Sequence, residues 1–362
     1  MRVALITNHV NEVRRSMRRF AEHLESDLTA LGVDVEVVAP KKSRLSTLLS
    51  PRAASLADKL HFQTRLSGLT ADIAHVIDQG DAGYVTSTGP LPTVVTCHDV
   101  CVLDDPQFLG PRFTTGWAYR GVLLARMRRG LSRARALVCD SDYTLRDVER
   151  LVPEKRSQER SRVYLPLRFA ASDGTPGPLP ASVADLRRPY LLHVGSNGHR
   201  KNRLALLDVL DKLRPGFALV LAGEPPDAAF VAQANRLGLA SEIRIVLGPS
   251  DAELGELYRG AHCLLFPSTF EGFGWPVLEA QSSCCPVVTT NVTSLPEVAG
   301  NGALFAAPSD TALLARHVSS LLDPVVRQSL LNLGSANADR FRSIELGREY
   351  LGIYEKLLAG RR

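Results

Sequence analysis

No run of apolar residues in this chain approaches the roughly 20 needed to cross a bilayer, so no membrane-spanning helix is expected. The first residues, MRVALITN, pattern as a short strand and lack the charged, apolar and small-residue series of a secretory signal. The expectation is a cytoplasmic protein. Six cysteines (Cys97, Cys101, Cys139, Cys263, Cys284 and Cys285) show none of the paired spacings of a zinc site and sit mostly in apolar, strand-like runs. Buried reduced thiols are expected, and a metal centre is not. Aromatic residues make up only 6% of the chain and are not interleaved with basic ones, which leaves no stacking platform for nucleic acid. The dinucleotide fingerprint Gly-x-Gly-x-x-Gly is missing, since the turn after the first strand reads TNHVNEV, and so is a Gly-x4-Gly-Lys-[Ser/Thr] phosphate loop. A dehydrogenase is thereby disfavoured.

What is present is a normal globular composition, 45% apolar and 22% charged, over 362 residues, more than one ordinary core accommodates. Strand patterns at Val3–Thr7, Val35–Pro40, Ile73–Ile77, Thr93–Asp99, Ala136–Ser141 and Arg162–Pro166 alternate with helical segments. The stretch ASDGTPGPLPAS, residues 171–182, reads as a linker. A second alternation follows at Tyr190–Gly195, Ala218–Gly223, Ile243–Gly248, Cys263–Ser268 and Pro286–Asn291. This pattern predicts an α/β protein of two doubly wound, Rossmann-like parallel-sheet domains facing each other across a cleft. The expected divisions are 1–170, a linker over 171–188, 189–340, and a C-terminal helix over 341–362. Ligands of such sheets bind beyond the carboxyl ends of the strands, so those ends carry the candidates.

The richest strand end is PSTFEGFGWPVLEA, residues 267–280. A buried strand, a glycine loop around Gly272, Phe273 and Gly274, and a helix with Pro276 in its first turn would aim backbone N–H groups and a positive helix dipole at an anion. Glu271 in the loop and Glu279 in the helix add acceptors for hydroxyls. Phosphate together with polyol means a nucleotide or a sugar nucleotide. At a second strand end, SNGHRKN places Arg200 and Lys201 before a helix, where the dipole disfavours cations. They are either a simple surface pair or a site that neutralises a diphosphate, and that conflict favours the second. His98 and Asp99 close a third strand, and His98 is either a proton-handling group or a structural one. Ser141, at a fourth, is expected to cap the following helix.

Charge is unevenly placed. Within the first 180 residues lie 25 of the 43 Lys and Arg but 20 of the 38 Asp and Glu, so the net charge of +5 resides there. Arg14, Arg15, Arg18 and Arg19 lie on adjoining faces of one helix. They are either a solvated face or a contact for an anionic membrane or a phosphate-bearing acceptor, each basic residue near anionic lipid being worth ~1 kcal/mol.

With these residues in hand the chain resembles glycosyltransferase family 4, the retaining enzymes of the GT-B fold. The resemblance rests on Glu271 to Glu279 with its GFG core, SLPEVAG (294–300), LGPSDAELGELYRGA before it, and HVGSN followed by RKN. It is dense through the second half and thin in the first, where TCHD and CDSDYT carry it. It implies a hexosyltransferase acting on a cell-envelope or polysaccharide intermediate, with a UDP- or GDP-sugar as donor substrate, no cofactor and no metal. The first domain would take a glycan or lipid-linked acceptor, and the C-terminal helix would return to that domain. Catalysis would fall to His98, Glu271, Arg200 and Lys201. The donor would be held by Ser196, Asn197, Gly272, Phe273, Gly274, Leu278 and Glu279, with Glu279 on the ribose. Asn8 and His9, with the four arginines, would lie on the acceptor or membrane side, and the protein would be peripheral to the inner face of the membrane.

Two departures stand out: Ser196 where the family often has arginine, and Asn8–Asn11 where many members have a Gly-Gly loop. A nucleotide-sugar epimerase and a non-catalytic binding subunit are the alternative readings.

Overall fold

The computed structural model describes residues 1–7, 15–40, 58, 61–105, 108, 117–155, 157–169 and 177–360. The chain divides into two compact units, Met1–Leu165 with Glu345–Arg362, and Pro166–Ile344.

In the first unit, β1 (Arg2–Ile6), β2 (Asp34–Val38), β3 (Ile73–Val76), β4 (Thr93–Cys97), β5 (Ala136–Cys139) and β6 (Glu159–Arg162) form a sheet of order β2-β1-β3-β4-β5-β6. Every pairing is parallel. All residues of β3, β4 and β5 are buried, as befits strands covered on both faces. The strand expected at Arg162–Pro166 is instead β6, Glu159–Arg162. As an edge strand of charged residues it carries no apolar signal, and the apolar Val163, Leu165 and Leu167 are buried just beyond it.

The C-terminal helix, Leu346–Ala359, is tied to the first unit by a buried polar relay. Tyr354 and Thr96 hydroxyls lie 2.7 and 2.8 Å from the two ring nitrogens of His75, and the Tyr350 hydroxyl lies 2.7 Å from that of Thr96. Burial drives the His75 pKa down to about 3, so the imidazole is neutral and its hydrogen bonds satisfy it. Close approach to helix α1 (Arg15–Ala30) requires Gly347, because a Cβ there would stand 2.5 Å from the Cβ of Asp27.

In the second unit, β7 (Tyr190–Gly195), β8 (Ala218–Gly223), β9 (Ile243–Leu247), β10 (Cys263–Phe266), β11 (Val287–Thr290) and β12 (Leu304–Ala306) form a parallel sheet of order β12-β11-β10-β7-β8-β9. Side chains alternate between its two cores. Leu192, Val220 and Leu264 enter one face, and Leu191, Leu221 and Leu265 the other. β12, three residues long, was not anticipated. The chain winds one way from β7 to β9 and the other from β10 to β12. Its switch point lies between the carboxyl ends of β7 and β10, which is where such sheets take ligands. Among the described residues no helix is long and apolar enough to cross a membrane. Five of the six cysteines are buried and Cys284 is exposed.

Candidate active site

Both strand ends at the switch point carry candidate residues. β10 runs through Pro267 and Ser268 into the glycine loop, and the helix Trp275–Ser282 follows. Gly274 turns the chain at φ +108°, and a Cβ there would come within 2.9 Å of the Leu295 side chain, so a side chain at this position is strained. As N-cap it has no side chain with which to cap the helix, and Pro276 stands in the first turn. The loop is fixed from the segment after β11. The Ser294 hydroxyl donates to the carbonyls of Glu271 and Phe273, both at 2.9 Å, and the Thr293 hydroxyl accepts from Glu271 N–H at 3.1 Å. Phe273 sets its ring edge-on to Phe341.

Lys201, just beyond β7, donates to Glu271 Oε1 at 2.6 Å, and the Ser268 hydroxyl donates to the same oxygen at 2.7 Å. The ammonium also lies 4.7 Å from the centre of the Phe266 ring. Burial disfavours charge on both partners. For Glu271 the nearby Lys201 and Arg200 cations and the two hydrogen bonds outweigh it, holding the carboxyl below its usual range. Burial draws the Lys201 pKa down, against the pull of Glu271. A lysine donating at this distance to a carboxylate so held is an ammonium, so the pair is ionised. Backbone and side-chain bonds lace the two loops together. Arg200 O accepts from Thr269 N–H at 2.8 Å, and Asn202 Nδ2 donates to the Pro267 carbonyl at 3.1 Å.

Glu279 is buried in the helix and accepts from the Tyr258 hydroxyl at 3.0 Å; its neighbour Leu278 is fully buried. Asn197 N–H donates to the Glu224 carboxylate at 2.9 Å. The second unit thus brings Arg200, Lys201, Glu271 and the Gly272–Gly274 loop into one constellation. Ser268, Tyr258, Thr293 and Ser294 support it, and the sequence reading assigned none of them a role. SLPEVAG was the signal for Ser294, but its hydroxyl contacts are tertiary and invisible to spacing.

In the first unit, His98 follows β4 and is buried. Its Nδ1 lies 3.0 Å from Asp140 Oδ2 and its Nε2 3.0 Å from the Ile77 carbonyl, so both ring nitrogens are engaged. Burial lifts the Asp140 pKa to about 7. Burial pulls His98 the other way, but the hydrogen bond and charge of Asp140, with Asp78, raise it overall. The two groups therefore hold a shared proton near neutral pH. Asp140, which the sequence reading passed over as part of CDSDYT, leaves Oδ1 buried without a hydrogen-bond partner among the described residues. Ser141 caps the Asp142–Leu151 helix through Thr144 N–H, as expected. Asn8, His9 and Arg14 lie outside the described residues, as does the side chain of Arg15. Arg18 is exposed and pairs with Glu22 at 2.9 Å.

Residues 180–330 match the model of the family described as glycosyl transferases group 1. The chain is 29% identical over 277 residues to the O-antigen chain mannosyltransferase B of Escherichia coli, covering 73% of this chain and 70% of that protein. Further curated relatives match over 34% to 43% of their own length. Among solved structures the chain resembles WaaG, a glycosyltransferase involved in lipopolysaccharide biosynthesis, with a TM-score of 0.73 and 19% identity over 98% of this chain and 99% of that one. It also resembles Anabaena HepE in complex with UDP-glucose, with a TM-score of 0.70 and 16% identity over 99% and 100% of the two chains. With two doubly wound parallel sheets, these likenesses identify the GT-B fold.

Proposed function

We propose, from the match of residues 180–330 to the glycosyl transferases group 1 model, that the chain moves a hexosyl group from a UDP- or GDP-sugar to a glycan or lipid-linked acceptor, with retention at the anomeric carbon. The observation that carries this reading is the buried Lys201–Glu271 ion pair, 2.6 Å across, at the switch point of the second sheet. A diphosphate entering there meets Lys201, Arg200 and the N-terminus of the Trp275–Ser282 helix. As the bond to the sugar breaks, negative charge grows on the diphosphate, and fixed cations in a dry site stabilise it. No divalent ion is required for that step.

The donor's phosphates take Lys201 away from Glu271, and the freed carboxylate then accepts from the sugar hydroxyls. Glu279, oriented by Tyr258, accepts from the ribose. Mannose, glucose and rhamnose all present hydroxyls suited to Glu271. In the first unit, His98, hydrogen-bonded to Asp140, is assigned to catalysis as a proton-handling group. Arg14, Arg15, Arg18 and Arg19 are assigned to acceptor or peripheral membrane contact, which cosedimentation with anionic vesicles tests.

Incubation with a panel of nucleotide sugars, with and without polyprenyl-linked glycans, separates the outcomes. Acceptor-dependent nucleotide release supports the transferase. Sugar isomerisation without release would make the chain an epimerase, and binding without turnover a scaffold.

A further inference from the structure

Two residues beyond Lys201 the chain places another cation where neither helix nor core favours one. Arg203 opens the helix Arg203–Lys212, whose dipole disfavours positive charge at that end. Its side chain is only 7% exposed, on the face that continues as Leu206, Leu207 and Leu210 at spacings of three, four and seven. Burial draws the guanidinium below its ordinary pKa, opposed by the Glu224 and Asp227 carboxylates. An apolar residue would pack this position at lower cost, so the arginine needs another reason.

The reason lies in its acceptors. Nη2 donates to the Gly195 carbonyl at 2.6 Å, and Nη1 donates to the Asn197 side-chain oxygen and to the Glu224 carbonyl at 3.1 Å. Gly195 ends β7, Asn197 lies in the loop before Lys201, and Glu224 follows β8. Glu224 in turn accepts from Asn197 N–H, and the Asn197 amide donates to the Pro225 carbonyl. The two strand ends are pressed together: a Cβ on Gly223 would stand 2.5 Å from the Gly195 carbonyl oxygen. One planar fork thus fastens three segments from behind.

We propose that Arg203 is a positioning residue for the donor's nucleoside diphosphate: it holds the Gly195–Gly198 loop and the approach of Lys201 in the binding geometry without touching the ligand. This rests on the second unit being the donor-binding half. A lysine keeps the charge, but its single nitrogen cannot span acceptors on three segments as the fork does.

The test is calorimetric titration of wild type, Arg203→Lys, Arg203→Met and Glu224→Ala with UDP and GDP, beside thermal unfolding and steady-state kinetics. Arg203→Met is expected to weaken binding of the preferred nucleotide about tenfold and to raise donor KM in parallel. Arg203→Lys and Glu224→Ala should show smaller losses in the same direction. Acceptor KM should stay within about twofold of wild type while donor KM rises, a split that a general loss of stability would not produce. If Arg203→Met does not fold, Arg203→Lys and Glu224→Ala carry the comparison. Unchanged nucleotide affinity in folded variants would overturn the assignment of Arg203 while leaving the donor site standing. A wild-type chain that binds neither UDP nor GDP overturns the donor-binding reading, and this proposal with it.

Discussion

Lys201 and Glu271 lie 70 residues apart in sequence and 2.6 Å apart in space, joined where the strand order of the second sheet reverses. An ion pair buried in that way contributes little to net stability, but losing one partner strands the other, at a cost of about 3–5 kcal/mol. The two single variants should therefore share a loss of stability and differ in ligand binding. Lys201→Met should weaken UDP or GDP binding. Glu271→Gln leaves the ammonium to the phosphates and should bind the nucleotide at least as tightly as wild type, while transfer falls at least about a hundredfold. Titration calorimetry and initial rates on both variants check this.

A side chain at Gly274 is strained, given its φ of +108° and the 2.9 Å approach of the Leu295 side chain to a Cβ. Gly274→Ala should lower stability by about 1–3 kcal/mol, and nucleotide affinity should fall because the helix N-terminus is re-aimed. Denaturant unfolding and nucleotide titration measure the two effects separately.

The His98–Asp140 couple predicts a pH dependence of stability. The folded pKa of Asp140, about 7, lies above its ordinary value of 3.8, so the native state binds the extra proton between them. That contribution is full below 3.8 and is lost as pH rises through about 7. His98, also raised, adds a further loss as pH rises above its ordinary 6.5. Asp140→Asn should flatten the decline in Tm from about pH 4 to 7. An unaltered Tm profile in that variant would contradict the shared proton.

The relay from Thr96 through His75 to Tyr354 predicts that the C-terminal helix depends on it. Tyr354→Phe leaves a buried imidazole nitrogen without its partner and should cost about 1–3 kcal/mol. Hydrogen exchange should quicken in residues 346–359 before the rest of the first unit.

Much of the second unit was legible because its signals are local. Gly274, Pro276 and the apolar run of β10 specify strand, loop and helix within one short stretch, and Arg200 and Lys201 announce themselves by standing at the wrong end of a dipole. The edge strand β6 was misplaced because hydropathy sees side chains, whereas the strand is defined by backbone pairing of Glu159–Arg162 with β5. Asp140 was missed because nothing in its neighbourhood of sequence reveals that His98 packs against it from 42 residues away. Arg203 reads as one more polar residue in a helix until its burial is known. The Asn8–Asn11 departure lies outside the described residues, so nothing structural bears on it.

Sugar transfer from a nucleotide donor over the Lys201–Glu271 pair is the step on which the proposed function turns. Acceptor-dependent release of UDP or GDP from the matching nucleotide sugar, measured side by side for wild type and Lys201→Met, tests it most directly. Steady release by the wild type and a fall of at least about a hundredfold in the variant are expected. Equal release by both proteins, or release by the wild type that ignores the acceptor, would contradict it.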